Sequence, residues 1–507
     1  MLIWSRFMLS TQYAMRAFRE QWFTASSRAV SSAVIAEAEA RLARYEVNWA
    51  YYENTAYSRI HQWTASMRAE FGMYRYTRHI YNPAFSIGDF YATYLLGGRL
   101  DMTDDEAQDA GALPILTDNA AVRAAVARLW KTSNWQIEKD VLSLLGAVKG
   151  DACIMVYDDP DKQMTWMQVV DPAEIVNLEL DQRGNVRGYL RQQMRTDPRP
   201  GAIPGSTVWY REEAIRDDSG GVVYRTFLND FEYAWNEEQG STWVADYGFI
   251  PMVWIAHNKV KAGPGYGWGE AHVGYSKIRE IDDLASKLSD QIRKGVDPVW
   301  LMSGVDAPDS TPKFDAQGRP VRRDDMRTIY APTGAAAQAL IASVDIGGAL
   351  AAIAGINEQL ERDYPEIKLM ILRGVGTTSG EALRTAQEPV VAKVEKRRTP
   401  YDWGIVRAQQ MAMSIGGMNG YPGYEAFDAG SYERGDLNHD IGSRPVFGTA
   451  ADARATHDAA VFAAAKAAMS IGIDPLIYLR DAGWSEDRLD EIRNSRLYKA
   501  LSFAEYP

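Results

Sequence analysis

Cysteine is almost absent: one residue, Cys153, in a chain of 507. It cannot close an internal disulfide. Its setting, Ala152-Cys153-Ile154-Met155-Val156, predicts a buried strand residue rather than a nucleophile, in a reducing compartment. Long apolar runs are missing as well. No stretch offers about 18 uncharged apolar residues, and Arg6 interrupts residues 1–9, so the expectation is a soluble, non-secreted chain with no membrane partner. Positive charge is in deficit, 55 Lys and Arg against 67 Asp and Glu. The resulting net charge of −12 disfavours generic attachment to DNA or to an anionic membrane.

Chemical signatures are sparse too. The run Gly263-Pro264-Gly265-Tyr266-Gly267-Trp268-Gly269 lies between a strand and a helix, where a nucleotide loop would be, but has neither Gly-x4-Gly-Lys-Ser/Thr nor Gly-x-Gly-x-x-Gly order. Gly374 to Gly380 likewise lacks the lysine, and reads as a loop. Asp436, Asn438 and Asp440 alternate like a calcium loop, yet Ile441 and Phe447 stand where Gly and Glu are needed. The six histidines show no ligand spacing, and no Gly-x-Ser-x-Gly elbow occurs. The expectation is no catalytic residue, no cofactor and no metal.

What is present belongs to a folded protein, 46% hydrophobic and 24% charged, long enough for two to four structural units. Tyr (27) and Trp (15) outnumber Phe (14), favouring half-wet packing and shared surfaces. Helical spacing runs from about Ser27 to Tyr57 and again from Asn119 to Gly150, where Val122, Val126, Leu129, Trp130, Ile137, Val141 and Leu145 are spaced for burial. The period then changes. Asp151–Tyr157, Met164–Val170, Gly188–Arg195, Thr207–Arg211, Val222–Leu228 and Met252–Ala256 read as strands of a mostly antiparallel meander.

The chain is organised around two helices with an excursion between them. Ile278, Ile281, Leu284, Leu288 and Ile292 stripe the first; Ile346, Leu350, Ile353 and Leu360 stripe the second. Such narrow stripes on charged rods suit packing beside copies of the same helix. A later helix opens with the capping box Thr378 and Glu381, and Pro389 and Pro400 flank its cationic run Lys393, Lys396, Arg397 and Arg398, predicting a kink or break. Ala450 to Ile471 and two short helices close the chain.

This order of parts resembles the portal proteins of tailed bacteriophages. The strings Trp49-Ala50-Tyr51-Tyr52-Glu53-Asn54, Tyr81-Asn82-Pro83 through Leu96-Gly97-Gly98, Phe249-Ile250-Pro251-Met252-Val253 and Ser379-Gly380-Glu381-Ala382-Leu383-Arg384 look like wing and tunnel segments of long-tailed phage portals. The resemblance implies an α+β portal-type fold. It places a wing at 1–258 (helical 1–150, mostly antiparallel β 151–258), stem helices at 259–294 and 345–363, and a small β clip at 295–344. A tunnel loop would follow at 364–378, a long kinked helix returning to the wing at 379–448, and a crown at 449–507. It further implies a ring, usually of twelve copies, at one capsid vertex, through which double-stranded DNA is packaged and later ejected. Implied partners are the terminase large subunit as separate motor, the head-completion adaptor, the major capsid protein and scaffold. The implied location is the virion, with the host cytoplasm during assembly.

On this reading Lys368 and Arg373 are candidates for DNA contact, and Arg319, Arg322, Arg323 and Arg327 for terminase or adaptor contact or for salt bridges between subunits. The run Ile367-Lys368-Leu369-Met370-Ile371-Leu372 is too apolar for a water-facing loop, and also reads as a strand or buried helix end. A carbohydrate-active enzyme, suggested by the Trp and Tyr content and the β unit, is the rival from another class. A different ring-forming virion protein is a second.

Overall fold

The computed structural model describes residues 32–59, 77–97, 113–217, 220–229, 231–236, 240–260, 265–296, 300–303, 328–331, 345–374, 380–447, 460–467, 474, 476–481, 489 and 492–494. These divide between two compact units. The first takes those within Glu46–Ile87 and Ala271–Ala386, the second those within Arg6–Tyr45, Gly88–Glu270 and Gln387–Pro507.

Helix α1 (Ser32–Tyr52) contributes residues to both units, as does α2 (Pro83–Tyr94). Proline suits the first position of α2 because its missing N–H has no partner there anyway, and the Asn82 side chain accepts from the amide of Phe85 at 3.3 Å.

In the second unit, α3 (Ala120–Thr132) is capped by Asn119, whose side chain accepts from the Ala121 amide. The single helical stretch expected over 119–150 is in fact two helices, because Asn134 turns left-handed (φ 49°) before α4 (Trp135–Lys149) begins. That turn resets the helical phase. Val122, Val126, Leu129 and Trp130 are buried as expected, whereas Ile137 is 68% exposed and Val141 38% exposed.

Gly150 ends α4 at φ 105° and hands the chain to a strand. A side chain there would collide with Trp268 and Gly269 backbone, so glycine is required twice over. Strands β1 (Asp151–Asp159), β2 (Met164–Val170), β3 (Ile175–Leu180), β4 (Val186–Thr196), β5 (Thr207–Arg216), β6 (Val222–Leu228), β7 (Thr242–Ala245) and β8 (Met252–Ala256) follow. They form a three-stranded sheet, β8-β1-β2, and a larger sheet in which β3, β4, β5 and β6 run in order and β7 also pairs with β6. All of these pairings are antiparallel. Cys153 sits opposite Trp254 and Val170, buried in a core drawn from both sheets that includes Met155, Ile175, Tyr189, Tyr224 and Met252. Burial pushes its thiol well up, so it stays protonated and is no nucleophile. Mixed helix and mostly antiparallel sheet is therefore the fold class, as the sequence predicts.

The first unit contains α5 (Tyr275–Val296), a parallel two-stranded ladder of β9 (Trp300–Ser303) with β10 (Thr328–Ala331), and α6 (Ile346–Asp363). Next comes α7 (Pro365–Gly374). An irregular loop was the expectation over 364–378, but most of it is this helix. Tyr364 leaves helical geometry (φ −127°, ψ 77°) because the residue before a proline is pushed out of the α region, and Pro365 then starts a new helix. The apolar run is explained: Ile367 and Leu369 are buried.

Helix α8 (Gly380–Met418) is continuous through Pro389 and Pro400 rather than broken at either. The proposed cap at Thr378 lies outside the described residues. So do Arg319, Arg322, Arg323, Arg327 and most of the carboxyl-terminal helices expected beyond 449.

Candidate functional site

Within the first unit, α5 is held by a buried acidic network that its apolar stripe conceals. Ile278 and Ile281 are 1% and 2% exposed and Leu288 is buried, while Leu284 is half-buried. Between them on the same face lie Asp282, Asp283 and Ser286, all buried. Asp282 accepts from the amides of Ile80 (2.8 Å) and Tyr81 (3.0 Å) and from the Tyr57 hydroxyl (3.0 Å); His79 stands 3.5 Å away. Asp283 accepts from the Thr77 hydroxyl at 2.8 Å and pairs with Lys287, and the Arg78 amide donates to Ser286. The segment 77–81 is thus laced along α5 by charge-assisted bonds, and Tyr51 stacks on Tyr275 with centroids 4.3 Å apart.

This corrects one expectation and leaves another open. The α5 stripe is largely covered inside its own chain. By contrast Ile292 is 45% exposed, Ile346 45% and Leu350 54%, with Ile353 half-buried. Lys277 bridges to Asp363 at 2.6 Å, tying α5 to the end of α6. Lys368 is exposed on α7, five residues before Arg373 on the same helix.

In the second unit the glycine-rich stretch has a structural task. The Gly267 amide donates to Asp151 at 2.7 Å, and a Cβ at Gly267 would lie 2.2 Å from the Gly150 carbonyl. That amide is therefore committed to the protein's own carboxylate. Asp151 is fully buried and also accepts from Tyr45 (2.5 Å) and Trp254 (3.2 Å). Burial raises its pKa to about 6, against the stabilising pull of those hydrogen bonds and of Arg41 and Arg44.

Glu270, just beyond, is a second buried hub. It bonds His257 at 3.1 Å, Lys393 at 2.8 Å and Arg397 at 2.8 Å, and His257 in turn meets the Tyr401 hydroxyl at 2.9 Å. Burial works against the Glu270 carboxylate, but these three partners outweigh it and hold its pKa well below the usual range. Burial also lowers the pKa of His257. Arg398 is equally committed, donating to the carbonyls of Tyr94, Leu95, Arg444 and Pro445. Three members of the cationic run on α8 are therefore internal fasteners.

None of these three hubs was legible beforehand. Acidic residues on an amphipathic helix read as solvent-facing, and only the position of the amides of Ile80 and Tyr81 makes Asp282 an internal acceptor. Of the calcium-like trio, Asp436 pairs with Arg434, and Asp440 lies in a two-residue strand opposite Leu116. Among the described residues, no helix is long and apolar enough to cross a membrane.

No curated protein matches the chain. The family model described as phage portal protein, SPP1 Gp6-like, matches residues 31–427, which span α1 to the loop after α8. A match over so much of the chain shows that it belongs to the phage portal protein family, SPP1 Gp6-like.

Proposed function

We propose that this chain is the portal subunit of a ring, of about twelve copies, at one capsid vertex. Double-stranded DNA enters through the ring under a separate terminase motor and leaves through it at ejection, and the ring carries the head-to-tail connector. The observation that carries the reading is the family match over residues 31–427. Helix, β ladder, helix in the order α5, β9–β10, α6 supports a stem (259–294 and 345–363) flanking a clip (295–344), with the wing at 1–258 and the crown at 449–507. A net charge of −12 suits a conduit, since every phosphate neutralised by Lys or Arg adds binding that a sliding duplex must break.

In this assignment the tunnel element is 364–378, most of it helix α7, and Lys368 and Arg373 are its candidate DNA contacts. Arg319, Arg322, Arg323 and Arg327 are candidates for docking terminase or adaptor. The uncovered apolar residues Ile292, Ile346 and Leu350 await the neighbouring subunit. Capsid protein and scaffold complete the partners, in the host cytoplasm during assembly and in the virion afterwards.

Light scattering with negative-stain imaging of the purified chain, alone and with capsid protein and scaffold, tests the reading. A ring of roughly a dozen copies with a central hole is expected. A monomer or dimer under every one of these conditions contradicts it.

A further inference from the structure

A cavity of about 360 Å³ opens in the β region of the second unit, a size typical of small-ligand sites. Its wall is unusual for a structural sheet. Tyr157, Tyr210, Tyr224, Trp235 and Trp243 all line it, presenting rings from β1, β5, β6, β7 and the loop before β7. Two carboxylates line it as well. Glu212 accepts from the hydroxyls of Tyr189 (2.5 Å) and Tyr210. Asp158 accepts from Tyr247 (2.8 Å), Tyr421 (2.7 Å) and the Asn419 amide (2.9 Å). All these donors are neutral, so they orient the carboxylates without cancelling their charge.

Among the described residues, the cation that lines the cavity is Arg195. Its guanidinium lies 3.6 Å from the centroid of Tyr210 and 5.6 Å from that of Trp235. Nearby Arg191 is already engaged by Glu174 at 2.9 Å and by the Tyr157 hydroxyl at 2.7 Å. Among the described lining residues two carboxylates stand against one guanidinium, a net negative charge, with Arg191 behind the wall shared between Glu174 and Glu212. Aromatic faces attract cations through their quadrupoles, most strongly where water is partly excluded. Ring faces and acceptor-only carboxylates together favour positive charge; because sugar hydroxyls can donate to the same carboxylates, a neutral sugar is the control that separates charge from simple hydrogen bonding.

We propose that this cavity is a receptor for an organic cation, an alkylammonium or guanidinium group, and that Arg195 competes for the same aromatic faces. The cation comes from a free polyamine or from a lysine or arginine side chain of a partner polypeptide. Nothing in this proposal depends on the chain being a portal.

Titration calorimetry on the full chain tests it, with spermidine, Nα-acetyl-lysine methylamide, Nα-acetyl-arginine methylamide and a neutral monosaccharide as probes. At least one cationic probe binds and the sugar does not. E212Q, which keeps the side-chain shape and an acceptor oxygen, weakens binding about tenfold, the loss of one charge-assisted contact. R195Q strengthens it by removing the resident competitor, so the proposal stays testable even where E212Q fails to fold by circular dichroism. Binding of spermidine alone identifies the free polyamine; binding of either amino-acid amide identifies a partner side chain. Absence of cation binding, preference for the sugar, unchanged affinity in folded E212Q, or weaker binding in R195Q overturns the proposal.

Discussion

Helices α5 and α6 carry similar apolar stripes in the sequence and meet different fates in the structure. Helix α5 buries Ile278, Ile281 and Leu288 within its own chain and adds three buried polar residues to the same face. Helix α6 buries Leu360 near its end, while Ile346 and Leu350 face outward. A stripe states that something must cover it, not what does. On α5 the segment 77–81 of the same chain bonds the polar residues interleaved with the stripe; for the exposed part of α6 we propose another subunit.

The largest effect should come from breaking the α5 network. Asp282→Ala removes the acceptor of the part-buried amides of Ile80 and Tyr81 and of the Tyr57 hydroxyl, so a loss of about 2–4 kcal/mol is expected in urea unfolding. A loss below about 1 kcal/mol would mean the network is not formed in solution.

The comparison sharpens with a matched pair of truncations. Ile281→Ala opens a cavity in a covered face and should cost about 2–4 kcal/mol, whereas Leu350→Ala should change subunit stability by no more than about 0.5 kcal/mol. Equal losses at the two positions would erase the distinction between the helices.

A smaller effect is expected at Asp151, in the second unit. Its native pKa of about 6 lies above the ordinary carboxylate value, so the native state holds the proton more tightly than the unfolded chain. The contribution is fully present below the unfolded value of about 4 and is lost as pH rises through about 6, amounting to about 2–3 kcal/mol. Asp151→Asn keeps an acceptor for Gly267 and Trp254 but does not titrate. Wild-type stability minus that of the variant should therefore fall between those pH values, as measured by thermal melting, and a flat difference would contradict the burial argument.

Much of this architecture was legible. Strands β1, β2, β4, β5, β6 and β8 declared themselves through alternation and turn residues, and Gly184 stands in one of those turns with φ 89°. Strands β3 and β7 were missed: one follows a proline-containing turn and carries Asn177 and Glu179, the other has four residues. Helix α7 was read as a loop, with a strand or buried helix end as the alternative for its apolar run; following glycines favoured the loop, although Pro365 is a proper helix start. Ile137 and Val141 were misplaced by a single left-handed asparagine. The polar hubs at Asp151, Glu270 and Asp282 were invisible for a common reason: their partners lie far away in sequence. Arg397 is separated from Glu270 by 127 positions. Periodicity reports a residue's own helix or strand, not the donor that arrives from elsewhere.

The most direct test of the central claim is the mass of Leu350→Asp beside the wild type, by light scattering under conditions where the wild type assembles. A folded, thermally stable variant that remains monomeric while the wild type forms a ring is the predicted result. A variant that assembles into the same ring would show that the exposed face of α6 is not what neighbouring subunits cover.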